Sequence, residues 1–274
     1  MLITDERYSP GSLDLCTGYE HIHRYLFALQ YIRGKKVLDL ACGEGYGSAL
    51  LARSASEVIG IDIFPDAISH ASAVYQMNNL SFLVGAMDSI PLHDLFDVIV
   101  CFEAIEHIGN HGALCHEVKR LLKPNGIFIV STPNKSVYSQ NGKTQNPYHV
   151  KELDLTELQL LLGKHFQFQY VYGQKTTTSS RIFSLHSSNN TTEEQRIQMQ
   201  ANGFCSTTQE DPLPRYYIAL SSDERIEANN GVSYLTDVAE RKGFAQWMMP
   251  EKSHWIRGKT LRKFLKLLQR KFTS

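Results

Sequence analysis

The chain has 274 residues, 42% of them hydrophobic, enough to bury a substantial core in one large α/β domain or two small ones. Its five cysteines (Cys16, Cys42, Cys101, Cys115, Cys205) are scattered without CxxC spacing, which speaks against a disulfide framework or a zinc cluster. The 28 Lys and Arg balance 28 Asp and Glu, but residues 252–274 hold eight of the cations and no acid; the acidic body before them is a poor nonspecific nucleic-acid binder, and no nucleic-acid partner is expected.

No charged-then-apolar leader opens the chain, and no apolar run approaches the roughly 18 residues of a bilayer span, so the expected location is cytoplasmic. Residues 1–33 read as a helical cap, since YEHIHRYLFALQYI is apolar enough to lie across a site mouth. Then comes VLDLACGEGYG. Val37, Leu38 and Leu40 have the composition of a parallel strand buried on both faces, and SALLA from Ser48 begins a helix. Gly43, Gly45 and Gly47 between them allow a sharp turn that approaches a ligand closely.

A second run, EVIGID, ends at Asp62, 19 residues after Gly43, where a carboxylate meets ribose hydroxyls in a doubly wound sheet. That spacing suits NAD as well. Asp39 discriminates, because a buried carboxylate there repels a pyrophosphate but suits a cofactor bearing positive charge, as S-adenosylmethionine does. The pattern is also GxGxG rather than GxGxxG.

Apolar runs predict strands at 36–41, 57–62, 80–85, 96–101, 126–132, 166–171 and 216–221, with helices at 46–54, 65–77, 110–122 and 154–163. Pro65 suits a first helical turn, and Pro124-Asn125-Gly126 a helix stop. CFEAIEHIG puts Glu103, Glu106 and His107 past the fourth strand, and the loop after the fifth returns Tyr148 and His149 to the same edge. Residues 174–215 form a polar insertion with one short amphipathic stretch, TEEQRIQMQANGF; it reads as a surface loop or an acceptor-recognition lid. From Lys259, Leu261, Phe264, Leu265, Leu268 and Phe272 form an apolar stripe against a cationic face, fitting a docked terminal helix or peripheral contact with the inner membrane face.

Together these motifs resemble class I S-adenosylmethionine-dependent methyltransferases. VLDLACGEGYG is similar to that family's first motif, IGIDI to its second, FDVIVCFEAIEHI to its fourth and LLKPNGIFIVSTPN to its fifth-strand signature. The run ERYSPGS with YEHIHRYLFA resembles members associated with cell-surface polysaccharide and O-antigen biosynthesis. The resemblance implies an α/β fold: a Rossmann-like, seven-stranded, mostly parallel sheet with helices on both faces. Its last two strands would form an antiparallel edge hairpin. The division is 1–33 cap, 34–221 core with the insertion at 174–215, and 222–274 C-terminal helical extension. Asp39, Ala41, Gly43, Gly45, Asp62, Ile63, Ala86, Met87 and Phe102 would bind S-adenosyl-L-methionine and its product S-adenosyl-L-homocysteine, with Tyr8, His23 or Tyr25 near the methionine end.

The implied reaction is O-methylation of a sugar hydroxyl in a surface glycan or its precursor. His107 or His149 would assist as base, with Glu106 or Glu103 orienting His107. No metal ligand is assigned. An alternative reads Glu103, Glu106, His107 and His149 as an ExxEH…H set, similar to the metal-binding set of small-RNA 3′-terminal 2′-O-methyltransferases and some ubiquinone-type O-methyltransferases. A small-metabolite or quinone acceptor, a nicotinamide oxidoreductase, and a non-catalytic partner of a glycosyltransferase complex stay open, as does homodimerisation. His21, His70, His93, His111, His116 and His165 receive no role.

Overall fold

The computed structural model describes residues 15–139, 146–177, 196–200, 203–207, 213–228, 233 and 235. Tyr8, most of the insertion and the basic stripe after Lys259 lie outside these. In chain order the elements are α1 (Leu15–Ile32), β1 (Lys36–Leu40), α2 (Tyr46–Ala52), β2 (Glu57–Asp62), α3 (Pro65–Val74), β3 (Leu80–Val84), β4 (Phe96–Phe102) and a 3-10 turn (Ile105–His107). There follow α4 (His111–Leu121), β5 (Leu122–Pro133), the one-turn α5 (Lys135–Tyr138), α6 (Leu155–Gly163), β6 (Phe168–Gln174), β7 (Arg196–Gln200), β8 (Gly203–Thr207) and β9 (Tyr216–Ser222). No helix among the described residues is long and apolar enough to cross a membrane.

Seven strands form one sheet in the order β3-β2-β1-β4-β5-β9-β6, parallel except for β9, which runs antiparallel between β5 and β6. Strand alternation divides the core into two layers. Leu38, Leu40, Ile59, Ile61, Ile99, Cys101, Phe128 and Val130 face one side with Leu114, Val118, Leu158 and Leu162 of α4 and α6. Val37, Val58, Val98, Val100, Ile129, Ile218 and Leu220 face the other with Ile22, Ala28 and Ile32 of α1 and Leu50 and Leu51 of α2. The sheet is therefore covered on both faces, and its ligand-bearing edge lies at the carboxyl ends of the parallel strands.

Several boundaries differ from the sequence reading. β5 begins at Leu122, directly after α4, because the pairing of Phe96 with Leu122 and Val98 with Ile127 bulges out the intervening residues of the Pro-Asn-Gly segment. β6 starts two residues late, since the amides of His165 and Phe166 both donate to Leu162 O and close the helix end. Within the insertion, β7 from the amphipathic stretch and β8, which runs on past its end, pair antiparallel as a separate two-stranded sheet.

Candidate active site

The turn after β1 is left-handed at Ala41 (φ 57°), Gly43 (φ 55°) and Gly45 (φ 83°). A side chain on Gly45 would meet Ala71 Cβ and the Phe82 ring at 2.7 Å, whereas a Cβ on Gly43 would point into open space. Gly47 serves the packing of helices instead. A Cβ there would lie 1.9 Å from the Tyr25 ring, so its absence lets α1 dock on α2. Asp62 joins the turn to β2, its Oδ2 accepting from Gly43 N at 2.9 Å and its Oδ1 from Phe64 N at 3.0 Å. Ile63 beside it is 59% exposed, an uncovered apolar surface next to a carboxylate and an open glycine backbone. A carboxylate, an exposed apolar side chain and an open glycine backbone together are chemically able to hold an adenosine group.

Asp39 is fully buried beneath this turn. Ser48 Oγ donates to its Oδ2 at 2.6 Å, and Tyr25 Oη lies 3.4 Å from both carboxylate oxygens. Burial pushes its pKa up to about 7, against the opposing hydrogen bonds of Ser48 and Tyr25. Phe102, at the end of β4, packs edge-on against Tyr25 at 5.0 Å. His23 Nε2 lies 2.9 Å from Ser233 Oγ. Ala86 forms an isolated bridge with Ser89, and Met87 packs against the core.

At the next strand end Glu103 is left-handed (φ 50°), a conformation costing about 1–3 kcal/mol for such a residue. Ser131, opposite Phe102 on β5, over-determines it: Glu103 N donates to Ser131 Oγ at 3.0 Å and that hydroxyl donates to Glu103 Oε1 at 2.7 Å. Glu106 is 1% exposed, and its backbone oxygen accepts from Val150 N and Lys151 N at 2.8 and 3.0 Å. Those two bonds bring the 146–154 segment back over the β4 edge. His149 consequently meets His107 edge-on at 5.1 Å.

Both rings have a defined tautomer. His149 Nδ1 donates to Glu152 Oε1 at 2.6 Å, an oxygen that can only accept while ionised, and His107 Nδ1 donates to Tyr148 O at 3.0 Å. A ring that keeps its proton on Nδ1 and no other carries its lone pair on Nε2. Glu152 is itself fixed by Ser139 Oγ at 2.5 Å, and the Tyr138 ring stacks on His149 at 5.3 Å. Single ligand atoms of Glu106, His107 and His149 lie within 4.8 Å of one another. Glu103 stands outside that set, turned to Ser131 and to Arg24, whose Nη2 lies 3.6 Å from Glu103 Oε2. Burial raises the pKa of both glutamates; for Glu106 the Glu103 charge adds to this, and for Glu103 the Arg24 charge opposes it.

Sequence reasoning misses Arg24, Gln174 and Glu152. Arg24 is 1% exposed, its Nε donating to Gln174 Oε1 at 2.8 Å and its guanidinium lying 4.6 Å from the Tyr216 ring centroid. Gln174 in turn donates to Glu20 O at 2.9 Å. An arginine on the buried face of a helix is a readable signal, because such a residue needs a partner.

A family model described as methyltransferase domain matches residues 33–198. A probable S-adenosylmethionine-dependent methyltransferase of Mycolicibacterium smegmatis is 40% identical over 163 residues, 58% of this chain and 63% of the relative. One so named from Mycobacterium tuberculosis is 33% identical over 166 residues, 59% and 60% respectively. The chain thus spans less than two thirds of these curated relatives. A ubiquinone biosynthesis O-methyltransferase of Psychrobacter cryohalolentis is 34% identical over 126 residues, 43% of this chain and 49% of that protein. Among solved structures, the PH0226 protein of Pyrococcus horikoshii superposes with a TM-score of 0.54 at 20% identity, covering 81% of this chain and 97% of that one. YcgJ of Bacillus subtilis gives 0.52 at 20% identity, covering 75% and 100%. With the seven-stranded sheet, the glycine turn and the two strand-end acids in place, the match over 33–198 settles the family: this chain belongs to the methyltransferase domain family.

Proposed function

We propose that the chain is an S-adenosylmethionine-dependent O-methyltransferase whose acceptor is a sugar hydroxyl of a surface glycan or its precursor. The observation that carries a hydroxyl acceptor is the His149–Glu152 pair. A carboxylate that fixes Nδ1 as the donor leaves Nε2 of a mostly buried imidazole able to take a proton. The sugar rests on the resemblance of the N-terminal run alone.

The turn at Ala41–Gly45, with Asp62 and Ile63, would hold the cofactor's adenosine, and Asp39 when ionised would supply negative potential beneath it. When bound, S-adenosylmethionine supplies an electrophilic methyl group on a sulfonium. The chain's own work is then alignment and proton removal. Alignment is worth up to about 7–11 kcal/mol in ideal cases. A base contributes about 10²–10⁴-fold. His149 Nε2 accepts the hydroxyl proton, Glu152 stabilises the imidazolium that results, and the Glu106 carbonyl holds the loop in register.

A second reading is favoured by one observation, the convergence of Glu106, His107 and His149. A carboxylate and two imidazoles with Nε2 lone pairs suit a divalent ion, which would lower an acceptor hydroxyl's pKa. Activity surviving EDTA removes this reading; loss in EDTA with rescue by Mn²⁺ or Mg²⁺ supports it.

The deciding experiment transfers a labelled methyl group from S-adenosylmethionine into fractionated bacterial extract, comparing the wild type with His149→Ala. Label in the glycan or lipid-linked sugar fraction with the wild type alone supports the proposal. Label in quinone, protein or RNA fractions overturns the sugar assignment and leaves methyl transfer standing.

A further inference from the structure

The one-turn helix α5 carries two groups that fix the His149–Glu152 pair. Its last residue lays the Tyr138 ring on His149, and Ser139, which closes the turn, donates its hydroxyl to Glu152 Oε2. A single helical turn has almost no stability of its own, because nucleation fixes several residues for one hydrogen bond. Its direction must therefore come from whatever holds its ends.

The hold is Asn134, fully buried between β5 and α5. Each polar atom of this residue is engaged. Its Oδ1 caps the turn, accepting from Ser136 N at 3.0 Å, and its backbone oxygen accepts from Val137 N and Tyr138 N at 2.9 and 2.8 Å. Its Nδ2 donates to Pro214 O at 2.8 Å and its backbone amide to Arg215 O at 2.9 Å. The guanidinium of the same Arg215 lies 5.3 Å from the Tyr138 ring centroid. The next amide along, Lys135 N, donates at 3.2 Å to the oxygen of Leu153, the neighbour of Glu152.

Three segments remote in sequence thus meet at one residue: the end of β5, the exit of the insertion before β9, and the segment that bears His149 and Glu152. Asparagine suits the post because one short side chain must accept from a cap amide and also donate to a carbonyl. Aspartate would cap equally well, but an ionised carboxylate has no proton for Pro214 O and would set a charge against it. We propose that Asn134 is a positioning residue for the acceptor base: through α5 it sets the Tyr138 ring and the Ser139 hydroxyl against His149 and Glu152, and it ties both to the exit of the insertion. This rests on the reading of His149 as the base and adds the residue that aims it.

The test follows the imidazole N–H proton of His149 by proton resonance in the full chain. A charge-assisted bond to Glu152 should give a downfield, slowly exchanging signal, assigned by its loss in Glu152→Gln. Asn134→Asp keeps size and cap, and Ser139→Ala keeps the turn; each should speed exchange of this proton about tenfold, by loosening the local structure around it, while S-adenosylhomocysteine binding is retained. Methyl transfer into the acceptor-containing extract fraction should lose about 10–100-fold in kcat with little change in KM, since a shift of about 1 Å at a base costs that much. Unchanged exchange in Asn134→Asp overturns the proposal. So does loss of S-adenosylhomocysteine binding in that variant, which would make Asn134 a determinant of the whole fold. A wild type without the signal lacks the His149–Glu152 pair and refutes the base reading as well, whereas a signal that survives substitution of Asn134 refutes the positioning role alone.

Discussion

Replacing Asp39 by Asn tests how the glycine turn is built. The carboxyl is fully buried, and burial outweighs the hydrogen bonds from Ser48 and Tyr25, raising the pKa from 3.8 to about 7. Between those values the folded chain holds a proton that the unfolded chain has lost, so stability falls as pH rises through that window. At about 1.36 kcal/mol per pH unit, the full cost above pH 7 is about 4 kcal/mol. Asn is nearly isosteric and titrates nowhere in this range. Urea denaturation of both proteins at pH 4.5 and pH 8, in the presence and absence of S-adenosylhomocysteine, measures the difference. The unliganded variant should gain on the wild type by about 2–4 kcal/mol between the two pH values. At pH 8 it should bind S-adenosylmethionine more weakly, since the negative potential under the cationic cofactor has gone. A stability difference independent of pH would show that Asp39 is ionised in the folded chain at acid pH, and would refute the argument.

Three further substitutions probe the rest. Gly47→Ala puts a methyl group into the Tyr25 ring and should destabilise by about 1–3 kcal/mol, read as a lower Tm; an unchanged Tm would mean that α1 docks without that contact. Glu152→Gln keeps the size but loses the charge that stabilises a protonated His149. It should lower kcat with little change in KM, and by less than His149→Ala, which should cost about 10²–10⁴-fold; wild-type kinetics in Glu152→Gln would remove the pair from the mechanism. Arg24→Met leaves the half-buried Glu103 without its cation and Gln174 Oε1 without its donor, at a cost of about 3–5 kcal/mol, and Arg24→Met/Glu103→Gln should recover the part owed to Glu103; additive losses in a double-mutant cycle would show that the two do not couple.

What can be read from the sequence follows from where each interaction's partner lies in the chain. β1, β2 and β4 announce themselves because both faces are buried, so VIGI and VIVC are apolar without alternation and VLDL is so apart from Asp39. The glycine turn and Asp62 are legible for the same reason, since strand, turn and helix occupy one short window and the second acid follows at a fixed spacing. β5 starts ahead of its apolar run because a bulge is a property of the pair, and only β4 reveals that Leu122 lies opposite Phe96. Arg24 and Gln174 stand 150 residues apart, and no local pattern links them. Glu152 is hidden for a subtler reason. It sits three residues from His149, well within a readable window, but that spacing signals a pair only if the chain turns there. The turn is imposed from a distance, by the Glu106 carbonyl gripping Val150 and Lys151. The same clasp sets His149 against His107, so each histidine can be named from sequence while the pairing of His149 with Glu152 cannot. Its arrangement belongs to the sheet edge, where two segments more than 40 residues apart are tied by a pair of backbone hydrogen bonds.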